Sequence, residues 1–323
     1  MSFTQRHSTH VSPAGHRSHR DQVEAGAGTP ALSPSHGGPR DEEQARQPEL
    51  RPARWRRWAG QREVALYLVL AYVISWSIWP LVLLNPQSSP LVPFGPGLAA
   101  VLIALTVGGR AGLLSLLGQL RKWRVKAAWY GIALGVPLAV PALALSAAVA
   151  IADAPVPHWE ASDVAQLAGT LVVTIIIVGL FEELGWRGFL LPRLQRRHSE
   201  LTAALILGVT WLPWHLPEMV SDPGQRPLAP FAVYVMAQSV LLAWLYNATQ
   251  ASLPIVIVFH AAFNSCTKLL LSELHGDPKV VAWWTLASAV TILAVSVTVY
   301  GEHRRGVHAE TVRAVAAPAR DDA

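Results

Sequence analysis

Charge and cysteine are what this sequence has least of. Only 15% of its 323 residues are Asp, Glu, Lys or Arg, where a soluble domain carries about a quarter. That deficit argues against a water-soluble domain and for a membrane protein. A single cysteine, Cys266, excludes an intramolecular disulfide framework, and within its apolar run it reads as a small packed hydrophobe. No long apolar stretch precedes Val64, so a signal-peptide core is not expected, and the first span is expected to remain in the mature chain. Neither H-E-x-x-H nor G-x-S-x-G occurs, which removes the usual helical zinc-protease and serine-hydrolase signatures. No internal repeat is apparent. The formal net charge of +5 resides in loops and tails, so it points to the membrane surface and to no nucleic-acid partner.

What is present is a series of long apolar segments. A helix crosses the hydrocarbon core with about 20 mostly apolar residues. On that measure the spans are Val64 to Leu84, Leu91 to Gly108, Trp129 to Ala152, Leu167 to Leu191, Leu201 to Met219, Ala229 to Tyr246, Ser252 to Leu271 and Val280 to Tyr300. The expected fold is therefore all-α, a polytopic membrane protein of about eight transmembrane helices enclosing an intramembrane polar cavity. Its organisation is a basic tail over 1–60, a membrane domain over 61–301 with its motif core at 166–268, and a C-terminal tail over 302–323. The first tail has too little apolar content to offset ordering entropy and is expected to be disordered. Its five histidines between His7 and His36 read as part of a solvated tail. Ala111 to Ala127 alternates leucines with basic residues, as an interfacial amphipathic helix does.

Charge order tests these spans. Arg51, Arg54, Arg56, Arg57 and Arg62 precede the first, and Asn85 to Pro90 is uncharged. Arg110, Arg121, Lys122, Arg124 and Lys126 follow the second span, whereas Asp153, Glu160 and Asp163 follow the third. Arg193, Arg196 and Arg197 come next, then Glu218, Asp222 and Arg226, and Arg304 and Arg305 open the tail. Strongly basic connections thus alternate, which predicts an even number of crossings in the plasma membrane with both termini cytoplasmic. The sequon at Asn247-Ala-Thr249 faces the cytoplasm in this topology and carries no weight.

A charge inside a span is costly and marks a functional position by default. The fourth span holds Glu182, Glu183 and Arg187. Glu183 and Arg187 are four apart, on one helical face, and can pair. Glu182 is rotated by about 100° and points elsewhere. His215 lies in the fifth span, and His260 and Asn264 share a face of the seventh. At 1.5 Å per residue, Glu182 lies about 16 Å from Arg193, and His215 about 21 Å from Leu201. His260 and Asn264 lie roughly 13 and 20 Å from Ala251 on the same rise. One pocket near mid-membrane can hold all four.

Such a pocket has the parts for peptide hydrolysis. Glutamate is a general base for water, histidine shares the water or protonates the leaving amine, and an Asn amide stabilises an oxyanion. Two histidines and a carboxylate, here Glu182, His215 and His260, are also a common catalytic zinc set. Zn-assisted and metal-free glutamate catalysis both remain open on the residues. So do a non-catalytic membrane scaffold or immunity protein and a proton-coupled transporter, although a transporter favours repeats that are absent here.

At these residues the chain resembles the CAAX-protease and bacteriocin-processing family of intramembrane proteases. The likeness rests on Glu182-Glu183 with Arg187, then Trp211 with His215, then His260 with Asn264, in that order on successive motif-bearing spans. Together with the Phe94-Gly95-Pro96 stretch it covers about Phe94 to Asn264. Trp211 departs from the pattern, where Phe is the commoner aromatic. The resemblance implies an eight-span protease whose cavity opens to the cytoplasm. Glu182 would activate water with His215, His260 and Asn264 would stabilise the oxyanion, and Glu183 and Arg187 would support the site. It further implies a membrane-anchored peptide or protein substrate, CAAX-type or bacteriocin-like.

Overall fold

The computed structural model describes residues 62–83, 91–222, 224 and 226–316. The expected N-terminal tail with its histidines, the connection 85–90 and the last seven positions lie outside the described residues. Among the described residues the fold is all-α, with no strand. The helices are α1 (Glu63–Trp76), α2 (Gly95–Gly118), α3 (Ala127–Ala152) and α4, a continuous helical rod over Ala161–Gln195. They are followed by α5 (Glu200–Trp214), α6 (Leu216–Ser221), α7 (Leu228–Ala248), α8 (Leu253–Leu271) and α9 (Gly276–Ala316).

The side-chain distribution is that of a protein whose solvent is lipid. Val69, Val73, Leu102, Leu138, Ile292 and Val295 are exposed on the bundle's outside. Glu182, Glu183, Arg187 and His260 are buried inside it. Water would drive the reverse arrangement, whereas a bilayer tolerates apolar surface and confines charge to the interior.

Among the described residues seven helices are long and apolar enough to cross a membrane, where the sequence suggests eight. The difference lies at Leu201 to Met219, which is divided between α5, of 15 residues, and α6, of 6. Prolines cause the break. Pro217 has no N–H to donate, and its ring would clash with the carbonyl four residues earlier, at Pro213. His215 occupies the joint, with φ −80° and ψ 0°.

Two further boundaries differ from expectation. Gly109 adopts φ 62° and ψ −156° inside α2, a conformation open to glycine and strained for other residues. The chain doubles back there, so a Cβ on Gly112 would lie 2.6 Å from the Ala104 carbonyl oxygen. The expected amphipathic helix is therefore the second arm of α2, and 122–126 is not helical. The expected C-terminal tail likewise begins as helix, because α9 runs on to Ala316.

Cross-helix contacts establish which helix ends lie together. Glu63 pairs with Arg193 at 2.9 Å and Arg196 at 3.6 Å. Gln119 donates to the Gly188 carbonyl and accepts from Tyr246, and Lys122 bonds to Gln250 and Ser252. One end of the bundle therefore gathers the arginine-rich connections. At the other end, Val92 donates to Ser75, Lys279 reaches the Gly224 carbonyl, and Arg226 pairs with Glu218. Between the ends, α1 and α5 run side by side, with Tyr72 donating to the Thr210 carbonyl and Trp76 to that of Trp214.

Candidate active site

α4 is shaped around its carboxylates. Its only α-helical turns near them, Leu180–Gly185, are flanked by π-helical turns at Thr174–Gly179 and Trp186–Leu190. Inserted π turns rotate a helix face locally and recur at functional sites. Close packing holds this stretch in place. A Cβ on Gly185 would lie 2.4 Å from the Pro96 backbone, and one on Gly97 would lie 2.8 Å from that of Phe181. The Gly95-Pro96-Gly97 start of α2 is thus the support behind the two glutamates.

Glu182 and Glu183 diverge, as their 100° separation predicts. Glu183 is fully buried and its Oε1 accepts two charge-assisted bonds. One comes from Arg187 at 2.9 Å and the other from His260 Nδ1 at 2.7 Å. A carboxylate with an arginine partner accepts, so His260 Nδ1 carries hydrogen and Nε2 is left for other work. Glu182 takes no part in this network. Its Oε2 accepts from the Trp211 indole N–H at 3.2 Å, and the side chain lines a cavity.

That cavity, of about 860 Å³, also receives Trp211, His215, His260 and Asn264. Each expected polar position facing the pocket is therefore brought to it. His215 Nδ1 lies 3.0 Å from the Trp211 carbonyl oxygen, which can only accept. This bond assigns the hydrogen to Nδ1 and leaves Nε2 as an acceptor. Asn264 follows His260 by one turn on the same face of α8.

Trp211 is the residue whose importance the pattern of charges does not disclose. Its indole binds Glu182, its face lies 4.3 Å from the Arg187 guanidinium carbon, and its ring contacts both histidines. A cation over an aromatic face is attractive. Trp211 thereby joins the carboxylate of one network to the arginine of the other. The signal available beforehand was its position one turn before His215.

Among the described residues, no group of three or more His, Cys, Asp or Glu side chains is arranged to hold an ion. Glu182 is turned to Trp211, and both histidines have Nδ1 engaged, which leaves Nε2 as the nitrogen a metal would take. The expected Glu182, His215 and His260 set is thus not gathered as a three-ligand cluster among the described residues.

Comparison with known proteins falls on this region. Residues 164–266 match the family described as type II CAAX prenyl endopeptidase Rce1-like. That interval contains every residue described above on α4, α5 and α8. The match bears out, over this interval, the resemblance to the CAAX-protease and bacteriocin-processing family. The chain is 27% identical over 116 residues to the CAAX prenyl protease 2 of Methanococcus maripaludis, covering 33% of this chain and 42% of that protein. It is 24% identical over 144 residues to the lysostaphin resistance protein A of Staphylococcus haemolyticus, covering 43% of this chain and 39% of that protein. The chain thus spans about two fifths of the length of these relatives. Where that resemblance has Phe as the commoner aromatic, the indole at 211 supplies a donor to Glu182 that a phenyl ring lacks.

Proposed function

We propose that this protein is an intramembrane endopeptidase that hydrolyses a membrane-anchored peptide or protein with water activated by Glu182. One observation carries the reading. Three helices place a carboxylate, two oriented imidazoles and an amide on one cavity, and a buried Glu183–Arg187 pair holds one of those imidazoles. Glu182 takes the water proton, with His215 Nε2 as a second acceptor for that water. The water oxygen bonds to the scissile carbonyl carbon. His260 Nε2 and the Asn264 amide face the oxyanion that forms. The C–N bond then breaks as Glu182 returns its proton to the leaving amine. No metal is needed for this sequence.

The test is cleavage of a membrane-anchored peptide by the purified full chain in liposomes. The expected result is cleavage by wild type, loss on His260→Ala, and no change with a chelator. Loss on chelation would replace water activation by Glu182 alone with metal-assisted hydrolysis. A second reading, a membrane scaffold or immunity protein without catalysis, is favoured by the likeness to a protein named for lysostaphin resistance. Equal inertness of wild type and variants, with the variants still functional in cells, would select it.

Trp211→Phe tests the indole donor at this position. It keeps an aromatic ring and deletes the donor to Glu182. Bonds to charged groups contribute about 1.5–3 kcal/mol, so cleavage is expected to fall roughly tenfold to a hundredfold with the protein still folded. An unchanged rate would show that the indole N–H does not position the base.

For orientation, α5 and α6 together supply the eighth crossing. The arginine-rich end then faces the cytoplasm by the positive-inside rule, and both termini with it, in the plasma membrane.

A further inference from the structure

The cavity occupies only one half of the bundle. On α4 its lining stops at Glu182 and extends back through Thr174 and Thr170 to Gln166. On α8 it begins at His260 and extends forward through Lys268 to Ser272. α7 contributes Phe231, Tyr234 and Val235 from its beginning, and α9 contributes Lys279 and Trp283 from its beginning. These helices alternate in direction, yet every lining stretch lies on the same side of Glu182. The polar rim, with Glu218, Arg226, Lys268, Ser272 and Lys279, belongs to the end opposite the arginine-rich connections.

On the other side of Glu182 the bundle is closed. Phe189, Leu190 and Leu191 on α4 are buried, as are Leu253, Ile255 and Val256 on α8. A Cβ on Gly188 would meet Leu253 at 3.0 Å, which shows how tightly these two helices pack there. The cavity therefore has its mouth away from the arginine-rich end. A cytoplasmic mouth and cytoplasmic termini, both expected from the sequence and the resemblance, are mutually exclusive in this fold.

The charge asymmetry decides between them. Arg62, Arg110, Arg121, Lys122, Arg124 and Lys126 belong to the closed end, as do Arg193, Arg196 and Arg197. The mouth end carries Glu160, Asp163, Glu218, Asp222, Glu273 and Asp277 beside its few cations. Orientation follows the Lys and Arg bias of short connections, and here the bias is strong.

We infer that the active-site cavity opens to the extracytoplasmic face of the membrane. Its substrate is then a peptide anchored in the bilayer whose scissile segment is presented from that face. A tail displayed in the cytoplasm does not reach Glu182. This inference deepens the protease reading and rests on it for the substrate, while the orientation itself does not depend on catalysis.

Cysteine accessibility tests it. In a Cys266→Ala background expressed in a bacterial host, Ser272→Cys places one thiol at the exposed rim. His198→Cys places one at the closed end, also exposed. A membrane-impermeant maleimide is expected to label Ser272→Cys in intact cells and His198→Cys only after permeabilisation. The reverse pattern, or no labelling of Ser272→Cys in intact cells, overturns the orientation. A membrane-anchored peptide is then supplied to spheroplasts and to inverted vesicles. Cleavage in spheroplasts alone is expected, and cleavage in inverted vesicles alone overturns the substrate assignment. If neither preparation cleaves while the labelling holds, the protease reading fails and the orientation stands.

Discussion

Glu182→Gln is expected to lower the cleavage rate by about two to four orders of magnitude, the usual contribution of a general base. The substitution is close to isosteric. Its amide oxygen can still accept from Trp211, whose indole N–H is the partner of Glu182 Oε2. Glu182 lies outside the Glu183, Arg187 and His260 network, so the loss should arise in kcat with the folded state retained. The measurement is cleavage kinetics beside thermal unfolding in detergent. A variant that folds normally and cleaves at the wild-type rate would remove Glu182 from the chemistry.

Glu183→Ala is expected to act on stability first. Arg187 is fully buried, and its ion-pair partner is Glu183. Its Nε and second terminal nitrogen lack a hydrogen-bond partner there. Removing one member of a buried pair strands the other charge and costs about 3–5 kcal/mol. The expected result is a large fall in unfolding temperature or failure to accumulate. Glu183→Leu combined with Arg187→Met removes both charges, and an apolar replacement of a buried pair is often neutral in stability. The double variant is therefore expected to recover most of the unfolding temperature. It should still cleave poorly, because His260 Nδ1 has lost the acceptor that orients its ring. Cleavage at the wild-type rate by the double variant would reduce Glu183 to a structural partner of Arg187.

Much of this site is readable along the chain because it obeys local helical periodicity. Glu183 and Arg187, four apart, pair as their spacing predicts, and Glu182, one position away, faces elsewhere. The cost of placing Glu182, His215, His260 and Asn264 in apolar segments singled them out, and all four reach one cavity. The break at His215 also had a visible cause in Pro213 and Pro217, although the apolar run conceals it from a count of spans. The bond from His260 to Glu183 joins residues 77 positions apart, and no periodicity within one helix specifies it.

Composition and charge order were enough for the all-α membrane class, the spans to within one, and the identity of the polar positions. Each of these depends on residues close in sequence, through helical repeat, segment length and the charge of short connections. The partner of His260, the role of Trp211, the reversal at Gly109 and the direction of the cavity came from packing between helices. Register between helices depends on how side chains and glycine gaps fit across them, as Gly185 fits Pro96 and Gly179 fits Ile257. The mouth lies where those helices part, and they part on the side of Glu182 remote from Gly188 and Leu253, where close contact leaves no room for water.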